Sequence, residues 1–395
     1  MSDIVFYIGI DNREAYQKCM NLTTIDHNIH IGEKLESFKE VDEDIVVVCN
    51  GNIYNYKQLA EEHELGEVKN SDQLIIKLYQ KYGILICSRL LYGEFSFILL
   101  KIKELPIYQK KFILDCYVVN GNLGVKPLFI GFSKDGRVCG VASREKLLEG
   151  MDVKPFPPGF YLSNLNEMVK YTQLFDQPVA VKRDPISVII NNVKLLVSNA
   201  CKVRCSFGEK RIAFLLEENF NSRLVNKFMN NKTGRVNLFD DRYQLEVDEV
   251  GYIVKEVIEM INKCDVELVR RGVLLYLVAR WMRKNSDYRV IICGEDVVGD
   301  EMIVCQKCFS RFGIEVRFPL VDQKVVKYLA SVGDDHQLFR QVFTDVEGGE
   351  LVVGEELTHL SAIKEYADKI VTDTGVGIDE ALLYKNIYGE YLEKR

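Results

Sequence analysis

Glycine is missing where this chain would most need it. A short apolar run at 212–216, IAFLL, is followed by EENFN before the next helix is expected to start near Ser222, and no glycine lies between them. A phosphate-cradling loop needs glycine there, so that backbone N–H groups can approach the oxygens closely. The turn instead offers Glu217 and Glu218, which repel phosphate, and the bulky ring of Phe220. Basic clusters are also absent: 51 Lys and Arg stand against 58 Asp and Glu, a formal net charge of −7. That balance argues against a nucleic-acid partner. No apolar run reaches the length of a membrane span. The opening MSDIVFYIGI has no basic segment before an apolar one, so a secretory leader is not expected and an intracellular, cytoplasmic home is.

Metal and disulfide patterns are sparse as well. The five histidines, at 27, 30, 63, 336 and 359, form no ligand set, and no metal site is expected. Eleven cysteines, an odd count, are scattered singly, mostly inside apolar runs such as VVVCN and VIICG, where free cysteine behaves as a small buried hydrophobe. Cys305 and Cys308 have redox or metal spacing, but no second pair follows. On a helix, that spacing puts both on one face, and a structural role is expected.

What is present is an ordinary globular chain of 395 residues, 47% apolar and 28% charged, long enough for two or three domains. The first half reads as sheet-rich. Strands are expected at 5–10, 45–49, 95–100, 112–118, 128–132, 138–142 and 160–163, with helices at 55–62 and 72–81. Asn50-Gly51 reads as a turn, Ser71 as the cap of the second helix, and the acid-rich 33–44 as a solvated connection. Periodicity stops in FDQPVAVKRDP, 175–185, which marks a boundary. Asp184-Pro185 then reads as cap and first-turn proline of a helix with one apolar face from Ile186 to Ala200. Further on, 212–216 reads as a buried parallel strand, GRVNLFDDRYQL as a turn and one strand, and 247–262 and 266–283 as helices.

Several pieces of the first half carry a family likeness. NGNIYNYKQL at 50–59, Asn70-Ser71-Asp72, GNLGVKPLFIGF at 121–132, VASREKLL at 141–148 and PFPPGFYLS at 155–163 resemble, in order, the glutaminase domain of glutamine-hydrolysing asparagine synthetase. In the second half RVIICGEDVVGDE at 289–301, FGIEVRFPLVDQKVVKYL at 312–329, HQLFR at 336–340 and KIVTDTGVGID at 369–379 resemble its synthetase domain. The resemblance implies a four-layer αββα N-terminal-nucleophile fold over 1–178, a linker at 179–185, and a shortened α/β parallel-sheet ATP-pyrophosphatase-like domain over 186–395.

The resemblance also assigns roles to positions. In the family a cysteine directly after the initiator methionine attacks glutamine, with its own amino group as base. Ser2 stands there in this chain, and the family's arginine clamp has no counterpart in NLTTIDHNIHIGE. Asn50 and Gly51 match the oxyanion pair, Asn52 replaces the glutamate that recognises the amino group of glutamine, and Asp72 matches the remaining substrate carboxylate. Against the family's pyrophosphate loop, Ser-Gly-Gly-Leu-Asp-Ser-Ser, residues 217–223 keep only Ser222. Glu295, Asp300 and Lys369 fall where the family contacts nucleotide or phosphate, which makes them vestigial binding positions here.

The expectation is an asparagine-synthetase-like pseudoenzyme serving as a structural or interaction component among other protein subunits, with no cofactor. Two alternatives remain. One is an active asparagine synthetase using ATP, Mg and glutamine. The other is a small-ligand sensor in the glutaminase-like pocket, built on Asn50, Gly51 and Asp72.

Overall fold

Continuous apolar runs shape the central strands of both parts of the chain, as sheets covered on both faces require. The computed structural model describes residues 3–8, 21–26, 29–34, 38–42, 44–105, 110–172, 174, 185–208, 211–217, 219–229, 233–238, 240, 242–243, 246–296, 298–332, 384–385 and 387–388. The chain divides into two compact units, Ser2–Ala180 and Val181–Arg395, the latter including Met1.

The first unit contains two six-stranded antiparallel sheets. One runs β10(Asp152–Pro155), β8(Phe129–Phe132), β9(Val138–Ala142), β1(Asp3–Ile8), β3(Ile29–Lys34), β2(Asn21–Asp26). The other runs β12(Glu167–Lys170), β11(Phe160–Ser163), β7(Lys110–Asn120), β6(Gly93–Leu105), β5(Ile45–Ile53), β4(Phe38–Asp42). Alternation divides β5 and β6 between two cores. Val46, Val48, Ile98 and Leu100 pack with Ile4, Phe6, Ile130 and Val141 of the other sheet. Ile45, Val47, Cys49, Phe95, Phe97 and Leu99 face the other way, onto α1(Tyr56–Glu62) and α2(Ser71–Leu90) through Leu59, Leu74, Ile75 and Leu78. A one-residue slip of β5 would exchange its two cores, so the register is strongly fixed.

Several expected boundaries move. The acid-rich 33–44 is not a plain connection: it carries the end of β3 and all of β4, whose Phe38 to Asp42 pair with Cys49 to Ile45. Asn50-Gly51 is not a turn but lies inside β5, with Asn50 opposite Ser96 and Gly51 opposite Phe95. The second helix is capped by Asn70, whose side chain accepts from Gln73 N at 2.8 Å, and it runs on to Leu90 across a kink at Gly83 (φ +72°). That conformation lies in the left-handed region open to glycine at little cost.

The second unit is built on a four-stranded parallel sheet, β14(Gly234–Asn237), β13(Ile212–Leu216), β15(Val290–Ile292), β16(Glu315–Arg317). α3(Ile186–Ser206), α4(Phe220–Phe228) and α8(Gln323–Ser331) bury Ile189, Val193, Val197, Leu224, Val225 and Val325 against Phe214, Val290 and Ile292. α3 is long and apolar enough by length and composition to cross a membrane, yet its 3.6-residue repeat of buried positions is that of a helix packed on a core. Pro185 flanks it as the capping residue rather than entering the first turn, while Asp184 lies outside the described residues. α4 begins at Phe220, two residues before the expected Ser222, because Asn219 caps it. α5(Val247–Ile261), α6(Val266–Asn285) and α7(Asp300–Arg311) complete the unit. Gly272 lets α6 approach α5: a Cβ there would lie 2.7 Å from Val257 Cγ1.

One ion pair ties α3 to the start of α8. Arg204 Nη1 lies 2.8 Å from Asp322 Oδ2, with side-chain exposures of only 2% and 1%. Asp322 also accepts from Lys324 N at 2.8 Å, capping α8. Asp322→Ala leaves a buried guanidinium uncompensated and is expected to lower stability by ~3–5 kcal/mol, whereas Arg204→Met with Asp322→Leu replaces the pair by apolar volume at much smaller cost. Urea unfolding of both variants checks this; equal losses would show that the pair is not the source.

Candidate functional site

The carboxyl ends of parallel strands, where helices begin, are where open α/β sheets present ligand-binding groups. In the second unit this place is the turn from β13 into α4 together with the segment after β15. The turn closes on itself through side chains. Ser222 Oγ accepts from Glu217 N at 2.9 Å and donates to Leu215 O at 3.2 Å, while Ser222 N donates to Asn219 Oδ1 at 2.7 Å. Asn219 Nδ2 in turn donates to Glu217 Oε2 at 2.8 Å. Two backbone N–H groups that could face an anion are thus satisfied internally. Gly294 presses on the same turn, since a Cβ there would stand 2.8 Å from Ser222 N.

The centre of the site is an arginine that the sequence reading did not single out. Arg271 on α6 reaches across so that its Nη2 donates to both carboxylate oxygens of Glu217, at 3.0 and 3.1 Å, and to Glu295 Oε1. Both acids are largely buried, with side-chain exposures of 5% for Glu217 and 14% for Glu295. Burial pushes the Glu295 carboxyl up to about 7, with the charges of Glu217 and Glu301 adding to the rise and Arg271 opposing it. Chemically this is a guanidinium held between two acids by charge-assisted hydrogen bonds made through Nη2 alone, with Nε buried and without a hydrogen-bond partner. A signal for it existed: Arg270 and Arg271 interrupt LVRRGVLLYLVA, and an arginine within a helix buried on nearly all sides needs an acidic partner.

The expected site residues divide as follows. Ser222 is fully buried and serves the turn. Glu295 joins Glu217 through Arg271. Asp300 does not join them: it is half exposed at the first residue of α7 and pairs with Lys263 at 2.5 Å. Lys369 and Glu218 lie outside the described residues. Among the described residues no group of three or more His, Cys, Asp or Glu is arranged to hold a metal ion.

In the first unit Asn50, Gly51 and Asn52 are consecutive on β5, and Asp72 is buried in the first turn of α2. Asp72 lies close to the strand: after burial, its charge is the next cause holding the Cys49 thiol above its ordinary range. Gly51 has φ +114°, and a Cβ there would stand 1.9 Å from the Glu94 carbonyl oxygen. Glycine is thus required for both conformation and close approach. Asn50 alternates with Val46 and Val48 and so turns to the intersheet side, whereas Asp72 belongs to the helix side. Ser2, the nucleophile position, lies outside the described residues.

The Glu295 shift sets a pH signature. Its folded value of about 7 exceeds its ordinary 4.5, so the folded chain binds more protons than the unfolded chain between them. The contribution of this group to stability is therefore full below about pH 4.5 and is lost as pH rises through about 7. Glu295→Gln removes the titration. Its stability relative to the parent should improve by up to roughly 3 kcal/mol from the acid to the alkaline side of that window, at about 1.4 kcal/mol per unit. Denaturant unfolding across the window checks this, and a gap independent of pH would contradict it.

Comparison with known proteins follows the same division. Residues 29–150 match the glutamine amidotransferase domain family. The glutamine-hydrolysing asparagine synthetase of Rattus norvegicus is 26% identical over 75% of this chain and 68% of its own, and that of Mus musculus 25% identical over the same shares. Among solved structures, the allosteric regulatory enzyme of purine biosynthesis aligns at a TM-score of 0.33 and 14% identity, over 60% of this chain and 64% of that one. The amidotransferase match and the synthetase relatives together support an asparagine-synthetase-like family for the chain.

Proposed function

We propose that this asparagine-synthetase-like chain is a pseudoenzyme, a structural or interaction component among other protein subunits. The observation that carries this reading is Arg271 held between Glu217 and Glu295 at the carboxyl ends of β13 and β15. A nucleotide triphosphate does not fit that arrangement. Two carboxylates face the place where phosphate oxygens would have to lie, and the nearby guanidinium is already committed to them. Backbone N–H groups of Glu217 and Ser222 are bonded within the turn. The same residues offer Mg and ATP no coherent site, so no chemical step is assigned to them. With Ser2 in the nucleophile position and no arginine clamp in NLTTIDHNIHIGE, neither half carries a full catalytic set.

The reading includes an N-terminal-nucleophile-type glutaminase-like domain over 1–178 and a shortened ATP-pyrophosphatase-like domain over 186–395. Its setting is cytoplasmic, with no nucleic acid and no membrane as partner. A second reading, a sensor of small ligands in the glutaminase-like pocket, is favoured by one observation. Gly51, next to the buried Asn50, keeps a demanding backbone geometry in β5, pressed against the Glu94 carbonyl.

Thermal melting with ATP, AMP, glutamine, glutamate and aspartate separates these readings. ATP and AMP are expected to leave the melting temperature unchanged. A rise with ATP that is sensitive to Glu217→Gln would overturn the pseudoenzyme reading, as would ammonia release from glutamine that Ser2→Ala abolishes. A rise with glutamine or glutamate alone would favour the sensor. For the assembly role, cross-linking in native extract followed by mass spectrometry is expected to capture a reproducible partner through a contact of roughly 1,000 Å² or more. Migration as a lone chain with nothing captured would sink that part.

A further inference from the structure

Cys305 and Cys308 have the spacing of a redox pair, yet the fold sends their sulfurs to different neighbours. Cys308 Sγ donates to Gly272 O on α6 at 3.3 Å. Cys305 Sγ instead meets Cys293 Sγ at 3.4 Å, across from the end of β15. Both are free thiols in the structure and both are fully buried. We propose that Cys293 and Cys305, rather than the Cys305–Cys308 motif, form an oxidisable pair that can close into a reversible internal disulfide. The proposal does not depend on the pseudoenzyme reading.

The geometry carries it. The two sulfurs already touch, and a bond of about 2 Å requires an approach of little more than an ångström, within reach of side-chain rotation and a small backbone shift. Cys293 directly follows β15 and directly precedes Gly294-Glu295, while Cys305 sits one turn into α7, so the bond would clip the start of α7 to the end of the strand. No other sulfur contact is recorded for this pair among the described residues. By contrast, Cys308 Sγ is turned to the Gly272 carbonyl, and a Cys305–Cys308 bond would have to break that contact and rotate the side chain away from α6.

The chemistry balances with hydrogen peroxide as oxidant. One thiol, as its thiolate, attacks a peroxide oxygen and gives a sulfenic acid and water. The second thiol displaces that hydroxyl, forming the S–S bond and a second water; two thiols lose two protons and two electrons, and the peroxide is reduced. Burial holds the Cys293 thiol well above its ordinary range, with the Cys305 contact and the charges of Glu217 and Glu295 adding to it. Oxidation is therefore slow in the closed state and proceeds through local opening at the end of β15.

The test uses the full chain under native conditions. The protein is treated with graded hydrogen peroxide, remaining thiols are blocked, and peptides are mapped without reduction. The expected product is a Cys293–Cys305 cross-link that dithiothreitol reverses, with a higher melting temperature in the oxidised form. Cys308→Ser should leave the cross-link intact and Cys305→Ser should abolish it. A Cys305–Cys308 cross-link would overturn the proposal. So would the absence of any Cys293–Cys305 product at peroxide levels that oxidise the partly exposed Cys139, Cys205 and Cys264.

Discussion

A guanidinium held between two buried acids depends on both of them. Arg271 extends from a helix whose middle is buried, and with its side chain only 21% exposed little water is available to replace Glu217 or Glu295. The acids depend on it equally. Without the arginine, two carboxylates would face each other across a few ångströms of low-dielectric interior, and one would be driven to protonate. The direction of the Glu295 titration already shows this tension, because burial outweighs the attraction of Arg271. The geometry of the turn follows from the same constraint. Asn219 can bond Glu217 and cap α4 only while Glu217 is drawn inward, and Ser222 can close the turn only while Asn219 holds its N–H.

The two units use different means to hold their key positions. In the parallel-sheet unit, side chains do the work: Arg271 at the strand ends, and Arg204 with Asp322 joining α3 to α8. In the antiparallel unit, backbone approach does it. Gly51 and Gly93 sit where any side chain would collide with a neighbouring strand, the latter 2.0 Å from the Asn52 carbonyl oxygen. Strand spacing at that end of β5 and β6 is therefore fixed by what those residues lack.

Much of this architecture is readable from the sequence because burial is periodic. The runs at 45–49, 95–100 and 212–216 become central strands, and the apolar face of 186–200 becomes the packed side of α3. Misplaced elements share a cause. Asn50-Gly51 carries a strong local turn signal, but pairing with Ser96 and Phe95 of β6 overrides it. The acids of 33–44 suggest a connection, yet β4 lies at the sheet edge, where charged residues are a normal protection against further pairing. The link from Arg271 to its two acids was hidden for a different reason. Those partners lie 54 and 24 residues away along the chain, and no local pattern reports a contact of that separation. The contact of Cys305 with Cys293 was hidden likewise, since spacing along the chain draws attention only to Cys308.

The three-way clamp also bears on reversibility over evolutionary time. Glu217, Arg271 and Glu295 come from three separate elements, so one nucleotide change can alter only one of them. Replacing Glu217 first would leave Arg271 facing a single acid; removing Arg271 first would leave two buried acids in contact. Each intermediate would pass through a form weakened by up to ~3–5 kcal/mol, a large share of what a domain has to spare. A clamp of this kind works as a ratchet, and a lineage that has acquired it is held by epistasis to the arrangement it has.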